Sequence, residues 1–339
     1  MSESKRMILG AAGLSLTPDE IAFYRDERPW GFILFARNVG EAAQLRDLTA
    51  AMRESVGRAD APVFIDQEGG RVQRLRPPLA PNYPAASALG ALYHRDREAG
   101  VRATWLMSRL HAFDLMHRGV DVDCLPVLDV PVEGAHDVIG QRAYGRDPEA
   151  VAALGRAAAD GLLAGGVLPV MKHIPGHGRA GADTHVELPT VTAPLEELRE
   201  RDFAPFRSLR DLPMAMTAHV VYEAIDAQRP ATTSPKLIRD VIRGEMGFDG
   251  LLMSDDVSMN ALSGPISVRV KAALFAGCDV VLHCNGKMEE MREVAEEAKP
   301  LDGLAQKRAE AALAHLTAPD TFDPEAAGAR LDALLGTAA

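Results

Sequence analysis

The chain has 339 residues, 47% of them apolar and 25% charged, enough to build one large domain or two of average size. A formal net charge of −11 comes without any basic cluster, which argues against a nucleic-acid partner because phosphate binding needs concentrated cations. No apolar run reaches the length of a membrane span, so a membrane is not an expected partner either.

Short apolar runs bounded by turn residues then recur eight times, each followed by a longer stretch with helical spacing. The first, 7–13, follows Lys5 and Arg6 and faintly resembles an export signal. Gly10 and Gly13 interrupt it, no A-x-A cleavage site follows, and Thr17-Pro18-Asp19-Glu20 opens a helix, so the cytoplasm is the expected location. Further strands are predicted at 31–37, 62–66, 120–129, 167–173, 214–219, 250–255 and 278–283. Helical spacing falls at 17–28, 41–58, 148–164, 195–209, 235–246 and 267–276. The stretch 77–120 is long for one connection and has room for an extra helix or a short hairpin over the mouth. The tail, 287–339, is rich in Ala and Glu and reads as helices packed on the outside.

Eight strands alternating with helices predict the α/β class and a (β/α)8 TIM barrel. It is expected to be a single domain over 1–339, since no linker or repeat divides the chain. An open, doubly wound sheet is the runner-up. No strand is followed by a G-x-G-x-x-G or Walker-type loop, so a nucleotide cofactor has no support. Cys124, Cys278 and Cys284 lie in apolar, strand-like surroundings and read as buried thiols of a reducing compartment.

Arg37, Asp66, Asp129, Lys172, His173, His219, Asp255, His283 and Asn285 all fall at or just past the predicted strand ends. In a parallel barrel those ends share one face, where active sites are built. The densest group is Lys172-His-Ile-Pro-Gly-His-Gly178 followed by Asp183-Thr-His185, titratable groups on a glycine-rich loop straight after a buried strand. His173, His177, Asp183 and His185 are also a formal zinc set. The spacing is not that of a helical H-E-x-x-H pair and no H-x-H ends the first strand, so no metal is expected.

Three segments carry a family likeness. They are Asp66-Gln-Glu-Gly-Gly-Arg71-Val-Gln-Arg74 after the third strand, the loop from Lys172 to His185 after the fifth, and Ser254-Asp255-Asp256 after the seventh. Together they resemble family 3 glycoside hydrolases, above all the bacterial single-domain β-N-acetylglucosaminidases of cell-wall recycling. The likeness extends to Ile139-Gly-Gln-Arg142-Ala-Tyr-Gly-Arg-Asp-Pro148, Ala218-His-Val-Val-Tyr222 and Gly247-Phe-Asp-Gly250.

The resemblance implies a retaining exo-β-N-acetylglucosaminidase that removes terminal N-acetylglucosamine from peptidoglycan fragments and needs no cofactor. The enzyme it implies is a monomer whose partner is its carbohydrate substrate. Asp255 would be the nucleophile, with Asp256 its competitor or the cap of the next helix. His185 would be the general acid/base and Asp183 its partner. An imidazole with a free pKa near 6.5 can give and recover a proton without a buried carboxylic acid, and a carboxylate beside it fixes its tautomer. Gly176, Gly178 and Gly181 would let that loop swing over bound sugar. Asp66, Arg74, Arg142, Lys172 and His173 would bind the sugar through acceptors and donors suited to hydroxyl and carbonyl groups. His177 and His219 read as supporting groups, and Asp129 and His283 stay unassigned. Two alternatives remain at this point: a phosphorylase of the same family, and a catalytically silent sugar-binding barrel.

Overall fold

The computed structural model describes residues 4–181 and 188–336. Its frame is eight strands: β1 (Lys5–Gly10), β2 (Pro29–Leu34), β3 (Val63–Ile65), β4 (Val122–Asp123), β5 (Leu168–Ile174), β6 (Met214–Thr217), β7 (Leu251–Asp256) and β8 (Val280–His283). Every neighbouring pair is parallel, and β1 bonds to both β2 and β8, so the sheet closes on itself. The (β/α)8 barrel expected from the alternation is therefore the observed fold.

The side-chain period of two explains both the core and the position of the polar groups. Ile8, Phe64, Val122, Val170, Met216, Met253 and Leu282 pack together inside the barrel. Their strand neighbours Leu9, Ile65, Met171, Ala215, Leu252 and Val281 belong to the layer beneath the helices. Two residues beyond Phe64, Val170 and Met253 stand Asp66, Lys172 and Asp255. The alternation that fills the interior with apolar groups therefore carries these three onto the wall of the C-terminal mouth.

The predicted strand 120–129 contracts to Val122–Asp123 as regular strand. Leu125 and Pro126 break the ladder, and the chain stays alongside β5 through Val170 N–H to Leu125 O and Lys172 N–H to Pro126 O, each 3.0 Å. The long stretch 77–120 contains two helices, Ala86–Arg95 and Arg97–Met116, separated by Asp96, whose carboxylate caps the second through Ala99 N–H at 3.0 Å. A short hairpin lies just before them, Gln67–Gly69 against Val72–Gln73.

From residue 287 onward the described residues form three helices. Met288–Glu297 packs beside Ile266–Ala276 and β1, completing the outer ring. Gly303–Leu313 reaches further in than a helix laid on the outside. Its Ala305, Ala309 and Ala312, with Leu301, join Trp30, Leu168, Met214 and Leu251 in the interior cluster and stopper the N-terminal end of the barrel. Small side chains permit that approach. Pro324–Leu335 lies across the helices Ala86–Arg95 and Arg97–Met116. Among the described residues no helix is long and apolar enough to cross a membrane.

Candidate active site

The mouth of the barrel encloses a cavity of about 290 Å3 lined by Asp66, Arg74, Arg142, Lys172, His173, His177, Asp255 and Asp256. Apolar walls come from Phe35, Met216, Met259 and Leu282, among others. That is near the lower end of the size range of small-molecule sites, and the few polar groups converge from β3, β5 and β7.

One wall is a chain of alternating charges. Asp66 accepts from Lys172 Nζ at 2.8 Å and from Arg74 Nη2 at 2.9 Å. Lys172 also meets Glu68 Oε1 at 2.6 Å, and Glu68 takes a two-pronged grip from Arg142 Nε and Nη2, both at 2.8 Å. Burial alone would raise the Asp66 carboxyl, but Lys172 and Arg74 outweigh it and hold it well below the ordinary carboxylate range. Burial pushes Glu68 the same way, and Arg142 and Lys172 bring it down to about 2. Lys172 loses charge stability to burial and more than regains it from Asp66 and Glu68, so it stays an ammonium ion.

A second group is organised by Asp129, which is wholly buried. Its Oδ2 faces His173 Nδ1 at 2.7 Å, while its Oδ1 accepts from the backbone N–H groups of His173 (3.2 Å) and His177 (2.7 Å). Burial opposes ionisation, yet His173 and His177 bring Asp129 down to about 2. An ionised Asp129 requires a proton on His173 Nδ1, which leaves Nε2 as the free ring nitrogen. His177 is pushed down to about 4, first by burial and then by His173, so its imidazole is neutral at pH 7.

Asp255 and Asp256 end β7 with different surroundings. Among the described residues the Asp255 carboxylate takes one hydrogen bond, from Asp256 N–H to Oδ1 at 2.8 Å. Burial would raise it, but His219, His173 and that N–H hold it below the ordinary carboxylate range. Asp256 is committed to the fold. Its Oδ1 accepts from Ser258 N–H (2.9 Å) and Cys284 N–H (3.2 Å), and its Oδ2 from Ser258 Oγ (2.7 Å). His219 is likewise committed, to Thr232 Oγ1 at 2.7 Å and Asp256 O at 2.9 Å.

The structure thus gathers Asp66, Arg74, Arg142, Lys172, His173 and Asp255 into one cavity. Asp183 and His185 lie outside the described residues. His177 lines the cavity, Asp129 backs it, and His283 is buried against Glu290 at 3.1 Å. Sequence reasoning passed over Glu68, although it stands inside the quoted Asp66-Gln-Glu motif, and left Asp129 without a role. Cys284 turns out to line the cavity rather than the core, and all three thiols are free. Among the described residues no cluster of three or more His, Cys, Asp or Glu is arranged to hold a metal ion.

Paired carboxylates, cations and imidazoles around a pocket at the C-terminal end of a closed parallel barrel define a class: barrel enzymes that act on small molecules. The chain belongs to the glycoside hydrolases of family 3, because the model described as the glycosyl hydrolase family 3 N terminal domain matches residues 26–318. It is 41% identical over 283 residues to a β-hexosaminidase of Bordetella parapertussis, covering 82% of this chain and 79% of that one. A β-hexosaminidase of Alkalilimnicola ehrlichii is 42% identical over 283 residues, 82% of this chain and 80% of its own. Among solved structures, NagZ from Neisseria gonorrhoeae in complex with N-trifluoroacetyl-D-glucosamine superposes with a TM-score of 0.86 at 32% identity, covering both chains fully.

Proposed function

We propose that this protein is a retaining exo-β-N-acetylglucosaminidase that releases terminal N-acetylglucosamine from peptidoglycan fragments through a covalent intermediate on Asp255. The hexosamine preference is supported by the β-hexosaminidase relatives and by the NagZ complex with an N-acylglucosamine. The peptidoglycan fragment, a cytoplasmic site of action and a monomeric, cofactor-free enzyme follow from the motif likeness.

The observation that carries the reading is Asp255. It is an ionised carboxylate on the cavity wall, fixed by a barrel strand and, among the described residues, lightly hydrogen-bonded and in no salt bridge. Such a group can add to the anomeric carbon as the C1–O bond to the aglycone breaks. In this scheme His185, as imidazolium, gives its proton to the departing oxygen, with Asp183 orienting the ring. The neutral imidazole then takes a proton from the water that attacks C1 and frees Asp255. Asp66, Lys172, Arg74, Arg142 and His173 hold the sugar's hydroxyl and carbonyl oxygens meanwhile.

A fluorosugar inactivator of N-acetylglucosamine type, followed by peptide mass spectrometry, tests the scheme. A label on Asp255 is expected; a label elsewhere, or none with turnover intact, overturns it. Hydrolysis of a chromogenic N-acetyl-β-glucosaminide with and without phosphate completes the test, since sugar 1-phosphate as product would make the enzyme a phosphorylase.

A further inference from the structure

We infer that Glu68 is the positioning residue of the sugar-binding wall: it holds Arg142 and Lys172 in place and neutralises their charge without itself meeting the substrate. The inference rests on the reading of this cavity as a sugar site. Five charged side chains run in sequence around the wall, Arg142, Glu68, Lys172, Asp66 and Arg74, with alternating sign and consecutive contacts of 2.6 to 2.9 Å. Four of them line the cavity. Glu68 does not; it stands behind the others with only 3% of its surface exposed.

Its grip is specific in geometry. Both prongs of the Arg142 guanidinium that face Glu68 meet a carboxylate oxygen at 2.8 Å, a planar fork of donors that matches a carboxylate and that a lysine could not present. The other hydrogen bond of the Arg142 side chain among the described residues, Nη1–H to Val138 O, is long at 3.4 Å, so Glu68 sets where the guanidinium points. Arg142 comes from the single helical turn Gly140–Arg142, Lys172 from β5 and Glu68 from the hairpin after β3. One carboxylate therefore ties three separate segments to a common register.

The charge matters as much as the geometry. Glu68 shares Lys172 with Asp66. Without that second acceptor, Lys172 falls wholly to Asp66 and competes with the sugar hydroxyls for its lone pairs. Removing Glu68 also takes the five-membered chain from one net positive charge to two. A neutral sugar is read by hydrogen bonds, and cations already balanced by carboxylates present donors without demanding a charged ligand. A positioning role for Glu68 thus predicts a loss in binding, shared by product and substrate.

The test compares wild type, Glu68→Gln, Arg142→Gln and the double variant on a chromogenic N-acetyl-β-glucosaminide, with inhibition by free N-acetylglucosamine measured alongside. E68Q is expected to weaken kcat/KM by roughly 10- to 100-fold, the cost of a lost charged hydrogen bond. KM and the inhibition constant should rise together and kcat should fall far less. The double variant should lose clearly less than the product of the two single losses, because the residues act as one unit. Multiplicative losses, or an E68Q that is folded by circular dichroism and keeps its KM, would overturn the inference. If E68Q does not fold, Glu68→Asp takes its place. It keeps the charge but is one methylene short, and an unchanged KM in that variant has the same consequence. Absence of activity in the wild type on every N-acetyl-β-glucosaminide would instead refute the sugar-site reading itself.

Discussion

Two adjacent carboxylates at the end of β7 have been given different work by their neighbours. Asp256 accepts three hydrogen bonds from Ser258 and Cys284 and so fixes the turn after β7 to the end of β8. Asp255 is held at one oxygen only, among the described residues. Asp255→Asn should therefore reduce turnover on the order of 10^4- to 10^6-fold, the range for losing a central catalytic group, with the fold retained. Asp256→Asn keeps an acceptor for the two N–H groups and should cost roughly tenfold or less in activity, with a lower Tm. Parallel kinetics and thermal melts distinguish the two, and equal losses of turnover would remove the basis for preferring Asp255. The strand-end rule made Asp66, Lys172 and Asp255 legible because side-chain alternation alone decides which way they face. Glu68 was not legible as a site residue, and Asp129, though placed at a strand end, was not legible in its role. Their importance lies in partners 74 and 44 residues away, which no local pattern encodes.

At the scale of elements, glycines decide how the loops over the barrel approach their supports. The hairpin that carries Glu68 turns at Gly69 and Gly70, with φ of +94° and +57°, and a Cβ on Gly69 would stand 2.3 Å from Pro84 O. The loop after β5 was expected to use Gly176, Gly178 and Gly181 as hinges. Gly178 has another duty: a Cβ there would lie 2.1 Å from Val130 O, so it permits close packing rather than motion. Among the described residues, nothing lies within 4 Å of where a Cβ on Gly181 would stand. Gly178→Ala should thus lower Tm by a backbone clash, whereas Gly181→Pro is the cleaner probe of a swinging loop. Turnover of Gly181→Pro is expected to fall several-fold at unchanged Tm, and full turnover would argue against gating. The eight-fold alternation was readable because both faces of each strand are apolar over short, punctuated runs. The helices Ala86–Arg95 and Arg97–Met116 were not individually readable. Arg97–Met116 buries residues all around its circumference, including Arg109 and His111, so no clean polar stripe marks it.

Across the whole molecule, stability and acidity are linked through groups that the chemistry does not use. His111 is fully buried in the helix Arg97–Met116, and neither ring nitrogen has a partner among the described residues. Its ring meets that of Tyr83 edge-on at 4.4 Å, and Tyr83 donates to Asp114 at 2.6 Å. Burial pushes the imidazole down to about 3. The folded pKa is depressed, so the stability this group allows is complete above the free imidazole value near 6.5. It is lost as pH falls from there toward 3, because the unfolded chain binds a proton that the fold refuses. Asp202, raised to about 6 chiefly by burial, titrates in the opposite sense, so the wild-type curve alone does not isolate the histidine. A difference measurement does. His111→Leu removes the titration and puts an apolar side chain of similar size in the buried position. Its stability relative to wild type should be independent of pH above 7. It should then improve by about 1.4 kcal/mol for each unit below pH 6.5. Urea unfolding of both proteins at pH 7.5, 6 and 5 provides the comparison. A difference that stays flat across that range would mean that His111 is charged, or solvated, in the folded chain.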